Sequence, residues 1–211
     1  MKIVFDFAGV VFHWQPTAML RRVLPALATD EAAAAHWVKQ IFQSWGGDWA
    51  DFDRGTVEVL PLMRKIAART GLPEADVQRA VYAIPQELQP DGNTLALMQE
   101  LRDSGHALFY LSNMPAPFAD YLLAQHDITR WFIDGVFSAR VKLSKPDPAI
   151  FELAAQRFGA RPEELIFIDD VLANVLAARA AGWQAVQFFD AAQCRADLLQ
   201  LIAPRKIGST A

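Results

Sequence analysis

Apolar positions along the chain change period twice. Ile3, Val4 and Phe5 form a continuous run of β-branched and aromatic residues, which predicts a short buried strand over 2–7. From Pro16 to Ile84 the spacing becomes helical. Met19, Leu20, Val23, Leu24 and Leu27 predict a helix starting at Pro16. Trp37, Val38, Ile41, Phe42 and Trp45 predict a second over 31–45, with Thr29 or Asp30 as its cap and Gly46-Gly47 as its stop. Val57, Leu60, Met63 and Ile66 place a third after Gly55, and a fourth runs to about Tyr82. Residues 85–90 read as a linker.

Beyond the linker, helix and strand alternate. Helices are expected at 92–104, 116–125, 147–158, 172–181 and 191–202, the fourth of these closed by Gly182. Strands are expected at 106–111, 135–138, 165–168 and 184–189. The tail 204–211 is expected to fray. Because the strands are apolar throughout rather than alternating, both faces of their sheet should be covered. The fold class is therefore α/β: a Rossmann-like, three-layer parallel sheet (residues 1–14 and 87–211) with an inserted all-helical cap (residues 15–86).

Composition narrows the class. With 53% hydrophobic residues the chain can bury a core, so disorder is excluded. The net charge of −4 comes with no dense Lys/Arg stripe, which argues against a nucleic-acid partner. No apolar stretch reaches the ~20 residues needed to span a bilayer, so no membrane partner is expected. Cys194 is the only cysteine, which rules out an intrachain disulfide and fits a cytoplasmic setting.

The candidate chemistry lies just after the strands. Asp6 follows the first strand, with Gly9 three residues on. A carboxylate there either caps the turn or serves as a nucleophile and metal ligand. Ser112 and Asn113 follow the second strand, Lys145 precedes the helix at 147–158, and Asp169, Asp170 and Asn174 follow the strand at 165–168. In a parallel sheet these ends share one edge, where ligands collect. Each residue alone has an ordinary structural use; together they favour chemistry. Clustered carboxylates repel one another unless a cation lies between them, and an oxygen-only donor set suits Mg²⁺. Lys145 would neutralise an anionic substrate, and the Ser112 hydroxyl would hold phosphate oxygens.

Four segments carry a resemblance: FDFAGV at 5–10, LSN at 111–113, Lys145 within SKPDP at 144–148, and IDDVLAN at 168–174. In order and spacing they resemble the four motifs of the haloacid dehalogenase superfamily, and the helical insert resembles that family's C1 cap. LSKPDPAIFE and FIDDVLANVLAARAAGW are most similar to the branch of α-glucose-1-phosphate phosphatases and the phosphatase domain of soluble epoxide hydrolases. The resemblance implies a Mg²⁺-dependent phosphatase acting on a small phosphorylated metabolite, such as a sugar phosphate. It implies Asp6 as nucleophile and metal ligand, the Ala8 carbonyl as a second ligand, and Asp170 as a third. Asp169 would support the metal directly or through water, with Asn174 behind it. Ser112, Asn113 and Lys145 would bind the phosphoryl group.

One position departs from the family. Phosphatases of this kind usually carry an acid–base Asp two residues after the nucleophile; here it is Ala8. General acid–base help is worth ~10²–10⁴-fold, so the loss matters. Three readings follow: a phosphatase of good leaving groups, with water or another residue such as His13 moving the proton; a degenerate member that binds a phosphometabolite or a partner without turnover; or a metal-independent 2-haloacid dehalogenase. The pair Asp169-Asp170 argues against the last, because the dehalogenases it resembles use no metal. His13 and Trp14 stand where the chain enters the cap, placed to line a substrate cleft. The cap aromatics Trp37, Phe42, Trp45, Trp49 and Phe52 read as the cap's own core, with a sugar-stacking face as the alternative, and Arg54 either reaches substrate or pairs with Asp51 or Asp53.

Overall fold

The structure is a computed structural model that describes residues 1–202, the side chain of Trp45 excepted. The expected fraying tail at 204–211 lies outside the described residues. In chain order the elements are β1 (Lys2–Phe5), α1 (Pro16–Val23), α2 (Glu31–Phe42), α3 (Gly47–Asp53), α4 (Val59–Thr70), α5 (Glu74–Glu87) and α6 (Gly92–Asp103). There follow β2 (Ala107–Ser112), α7 (Ala116–Gln125), α8 (Ile128–Trp131), β3 (Asp134–Phe137), α9 (Ser138–Val141) and α10 (Pro148–Arg157). The chain continues with β4 (Leu165–Asp169), α11 (Leu172–Ala180), β5 (Gln184–Gln187) and α12 (Ala191–Ile202).

The five strands form one sheet in the order β3-β2-β1-β4-β5, every pair parallel. Alternation along each strand sorts its side chains between two apolar clusters. Ile3, Phe5, Ile166 and Ile168 face one, with α6, α7 and α12; Val4, Leu165 and Phe167 face the other, with α10 and α11. This is the predicted three-layer architecture. Since β1 has β2 on one side and β4 on the other, the order turns at β1, and the crevice between its carboxyl end and that of β4 is the natural ligand site.

Carboxylate caps fix several helix starts. Asp30 accepts from the Ala33 N–H, Asp91 from Thr94 and Asp147 from Ala149, each interaction worth about 1 kcal/mol. Three boundaries differ from expectation. α1 stops at Val23 because Leu24 precedes Pro25, a position that disfavours helix. The helix expected over 31–45 ends at Phe42, where Gln43 and Ser44 take left-handed φ values of 50° and 51°. A further helix, α3, then follows within the stretch taken for a stop and a loop. The linker expected from residue 85 is still helical through Glu87; buried Pro85 sacrifices one backbone bond in the last turn of α5.

Residues 16–87 carry helices only, and their buried side chains are continuous with the sheet's first apolar cluster. The aromatics of this insert do not form an isolated core. Phe42 meets Trp49, Trp49 meets Phe52, and Phe52 meets Phe118 of α7, all edge to face with centroids 4.5, 5.6 and 5.5 Å apart. Two connections join the insert to the sheet. They bond to each other, His13 N–H to the Gln89 carbonyl and Asp91 N–H to the Val11 carbonyl, both at 2.8 Å.

Candidate active site

β1 ends at Phe5 and hands Asp6 to the crevice. The Asp6 N–H donates to the Ile168 carbonyl of β4 at 2.9 Å, so Asp6 is set beside the end of β4 by the ladder itself. The loop then curls. The Phe7 carbonyl accepts the N–H groups of Val10, Val11 and Phe12, and none of these three is spent on the Ala8 carbonyl. Gly9 has φ +85°, and a Cβ there would stand 2.6 Å from an Asp170 oxygen. Only glycine lets the loop pass so close to that carboxylate.

Asp6, Asp169 and Asp170 each present an oxygen within 4.8 Å of the others. Their partners give them different tasks. Asp169 is fully buried and saturated: Oδ2 takes the Lys145 ammonium at 2.6 Å, Oδ1 takes the Val171 N–H at 2.8 Å, and the Asn174 amide reaches both oxygens at 3.1 Å. Asp6 uses Oδ1 for the Phe7 N–H at 2.7 Å and for Lys145 at 3.0 Å, which leaves Oδ2 unengaged. Asp170 is only partly buried; backbone N–H groups of its own turn, at Asp170 and Val171, bear on its carboxylate, and it has no ion pair among the described residues.

Three carboxylates face one ammonium. Burial raises the Asp6 pKa to about 7; Lys145 opposes the rise, while Asp169 and Asp170 add to it. Burial, with Asp169 adding and Lys145 opposing, lifts Asp170 to about 6. Burial works against the charge on Lys145, but Asp169 and Asp6 more than offset it and hold its pKa above the usual lysine value. The ammonium is therefore a fixed positive charge. The excess of negative charge, the free Asp6 Oδ2 and the open Asp170 fit a divalent cation with oxygen ligands.

The remaining predicted residues fall into two groups. Ser112 is brought in at the end of β2: its hydroxyl is buried beside Asp6, near enough to help lower that carboxyl's pKa, but it completes no well-formed hydrogen bond. An unpaired buried hydroxyl costs about 1–3 kcal/mol, an expense that a ligand oxygen would remove. Asn113 is a brace for Lys145. Its amide donates to the Lys145 carbonyl at 2.9 Å and accepts the Lys145 N–H at 2.8 Å.

His13 and Trp14 stand in a groove beside the site. His13 pairs with Asp91 at 3.4 Å and, with Gly9, Phe188 and Asp190, lines that groove, to which Asp6, Ser112 and Lys145 do not contribute. Trp14 packs edge to face on Phe42 at 5.9 Å.

One residue beside the site is absent from the sequence-based set. Asp53, at the end of α3, is 7% exposed and close enough to Asp6 and Lys145 for both charges to act on it. The adjacent Arg54 pairs with Asp51 at 3.2 Å and so takes the structural option.

The model of the haloacid dehalogenase-like hydrolases matches residues 3–182. The chain belongs to this family. Sesquiterpene phosphatase astK of Aspergillus oryzae is 29% identical over 201 residues, covering 94% of this chain and 95% of that protein. Among solved structures, the HAD family enzyme BT-2542 of Bacteroides thetaiotaomicron, in complex with magnesium and inorganic phosphate, superposes with a TM-score of 0.68 at 18% identity, covering 90% of this chain and 96% of that one. L-2-haloacid dehalogenase of Xanthobacter autotrophicus, with chloropropionic acid covalently bound, reaches 0.65 at 18% identity, covering 96% of this chain and 84% of that one. The fold therefore accommodates both chemistries, and the choice between them rests with the side chains.

Proposed function

We propose that this hydrolase is a Mg²⁺-dependent phosphatase that cleaves a small phosphomonoester through an aspartyl-phosphate on Asp6. Asp170 carries the reading. A carboxylate without a cationic partner, set against two further carboxylates, serves metal-assisted phosphoryl transfer. It would only hinder the binding of an anionic haloacid. The free Asp6 Oδ2, the Ala8 carbonyl and Asp170 would hold the ion, with Asp169 acting by fixing Lys145. When bound, Mg²⁺ would supply charge neutralisation for the carboxylates and the phosphoryl oxygens. Lys145 orients Asp6 for in-line attack, and the orphan Ser112 hydroxyl donates to a phosphoryl oxygen.

In this reading residues 15–86 close over the site as a cap and exclude bulk water. The paired connections at 11–13 and 89–91 support hinges at their ends, with residues 88–90 in place of the longer linker. Resemblance favours a sugar phosphate, and the relative from A. oryzae adds sesquiterpene phosphates. The deciding assay follows phosphate release from both classes with Mg²⁺ and with EDTA, beside chloride release from 2-chloropropionate. Phosphate release that EDTA stops and Mg²⁺ restores is the expected result; metal-indifferent chloride release would overturn the proposal.

Stability gives a second, activity-free check. The folded state keeps protons on Asp6 and Asp170 up to about 7 and about 6, against an ordinary 3.8. Above pH 4 the native state therefore binds more protons than the unfolded one, and stability falls as pH rises through 7. The metal-free protein should melt at a higher temperature at pH 5 than at pH 8. Added Mg²⁺ should raise the melting temperature at pH 8 and have little effect at pH 5, where its ligands are protonated. Calorimetry at the two pH values checks both statements.

A further inference from the structure

The site holds a nucleophile and phosphate-binding groups, but Ala8 can transfer no proton. A leaving alkoxide needs one, and so does the water that later attacks the phosphorylated enzyme. The structure carries a carboxyl group suited to both steps on the helical insert, beside Asp6 and Lys145.

Asp53 closes α3, and the turn after it is fastened to the sheet. The Ser138 hydroxyl, at the carboxyl end of β3, donates to the Asp53 carbonyl and accepts the Met114 N–H at 2.8 Å, two residues past Ser112. The Lys142 ammonium of α9 donates to the Gly55 carbonyl. Gly55 has φ +70°, and a Cβ there would lie 2.7 Å from the Ala139 carbonyl oxygen, so this turn sits directly on α9. The Asp53 carboxyl group itself makes no hydrogen bond or ion pair with any described residue, although the residue is 7% exposed. Its own turn offers Arg54, but Asp51 engages that guanidinium. A buried carboxyl without partners is costly and normally finds one. Here the turn is bonded to the sheet side while the carboxyl is left over, near enough to Asp6 and Lys145 for their charges to act on it.

We propose that Asp53, carried by the helical insert, is the acid–base residue of this site in place of the absent carboxyl at position 8. The inference rests on the phosphatase reading of Asp6. As an Asp6 carboxylate oxygen forms its bond to phosphorus, the bond from phosphorus to the leaving oxygen breaks, and Asp53 gives that oxygen its proton. Asp53, now ionised, takes a proton from the attacking water. The Asp6–phosphorus bond then breaks, and Asp6 returns as a carboxylate with inorganic phosphate. Substrate plus water becomes alcohol plus phosphate, and Asp53 ends protonated as it began. Burial, with the Asp6 charge adding and Lys145 and Arg54 opposing, lifts its pKa to about 8, so the proton is in place at neutral pH. An acid borne on the insert is present only when the insert is docked, which ties proton transfer to closure.

The test compares wild type, Asp53→Asn, Asp6→Asn and Asp53→Asn/Ala8→Asp on an alkyl phosphate and on 4-nitrophenyl phosphate, whose leaving group needs little protonation. Asp53→Asn should lower kcat/KM about 10²–10⁴-fold on the alkyl ester and under about 10-fold on the nitrophenyl ester. With the nitrophenyl ester it should also show a burst of nitrophenolate, because hydrolysis of the phosphorylated enzyme has lost its base. The double variant, with a carboxyl restored at position 8, should regain the alkyl ester. An equal loss on both esters, without a burst, would overturn the role of Asp53 while leaving the phosphatase reading in place. Turnover retained by Asp6→Asn would instead remove that reading itself.

Discussion

Asp6→Asn should abolish phosphate release, by about 10⁴-fold or more, while the protein folds and melts no lower than wild type. The asparagine amide can keep both contacts made by Oδ1, accepting from the Phe7 N–H and from the Lys145 ammonium. What it cannot do is attack phosphorus, since an amide oxygen is neutral and forms no stable phosphoryl ester. The substitution also removes one of three mutually repelling carboxylates. At pH 8, where the wild-type group is charged against its neighbours, the variant should therefore gain in melting temperature; at pH 5, where wild-type Asp6 is protonated, the difference should vanish. Steady-state turnover and thermal melts at the two pH values measure this. Residual activity within tenfold of wild type would show that Asp6 is not the nucleophile.

The crevice was readable from sequence for a topological reason. A parallel sheet places every strand's carboxyl end on one edge, so Asp6, Ser112 and Asp169 could be assembled from strand order alone. Strands of continuous apolar character leave little ambiguity about where they run, and their ends shift here by a residue or two. The insert was harder to read. α3 spans seven residues, under two turns, too short for a helical period to emerge from mixed aromatic and acidic positions. The residues that separate it from α2, Gln43 and Ser44, adopt left-handed backbone without being glycine, and nothing in their identity announces it.

Asp53 was missed for the same reason and one more. Asp51, Asp53 and Arg54 look like a solvated charge run; only docking of their turn on Ser138 and Lys142 buries one of the three. His13 is placed by a second meeting of this kind. Its position in the chain suits a proton donor, but the crossing of the two connections places Asp91 beside it, a contact between residues 78 apart in sequence. Positions that depend on a strand's own end were legible, and contacts that depend on two distant segments meeting were not.

Lys145→Met should be the most destabilising single substitution in the site as well as an inactivating one. Lys145 is buried, 3.0 Å from Asp6 and 2.6 Å from Asp169, and its ammonium also lies 5.1 Å from the centre of the Phe167 ring. Methionine keeps most of the stem and the contact with Phe167 while removing the charge. Two buried carboxylates are then left without their cation, a change that typically costs about 3–5 kcal/mol. For a chain of this size each kcal/mol is worth roughly 2–4 °C, so the melting temperature at pH 8 should fall by roughly 6–20 °C. The loss should shrink at pH 5, because the freed carboxyls can take up protons there and no longer need a partner. Adding Asp169→Asn should recover part of the stability by removing the deepest unpaired charge. It should recover no turnover, because Asp6 and the phosphoryl group would still lack their ammonium. A Lys145→Met variant as stable as wild type at pH 8 would mean that this ion pair does not hold the site together.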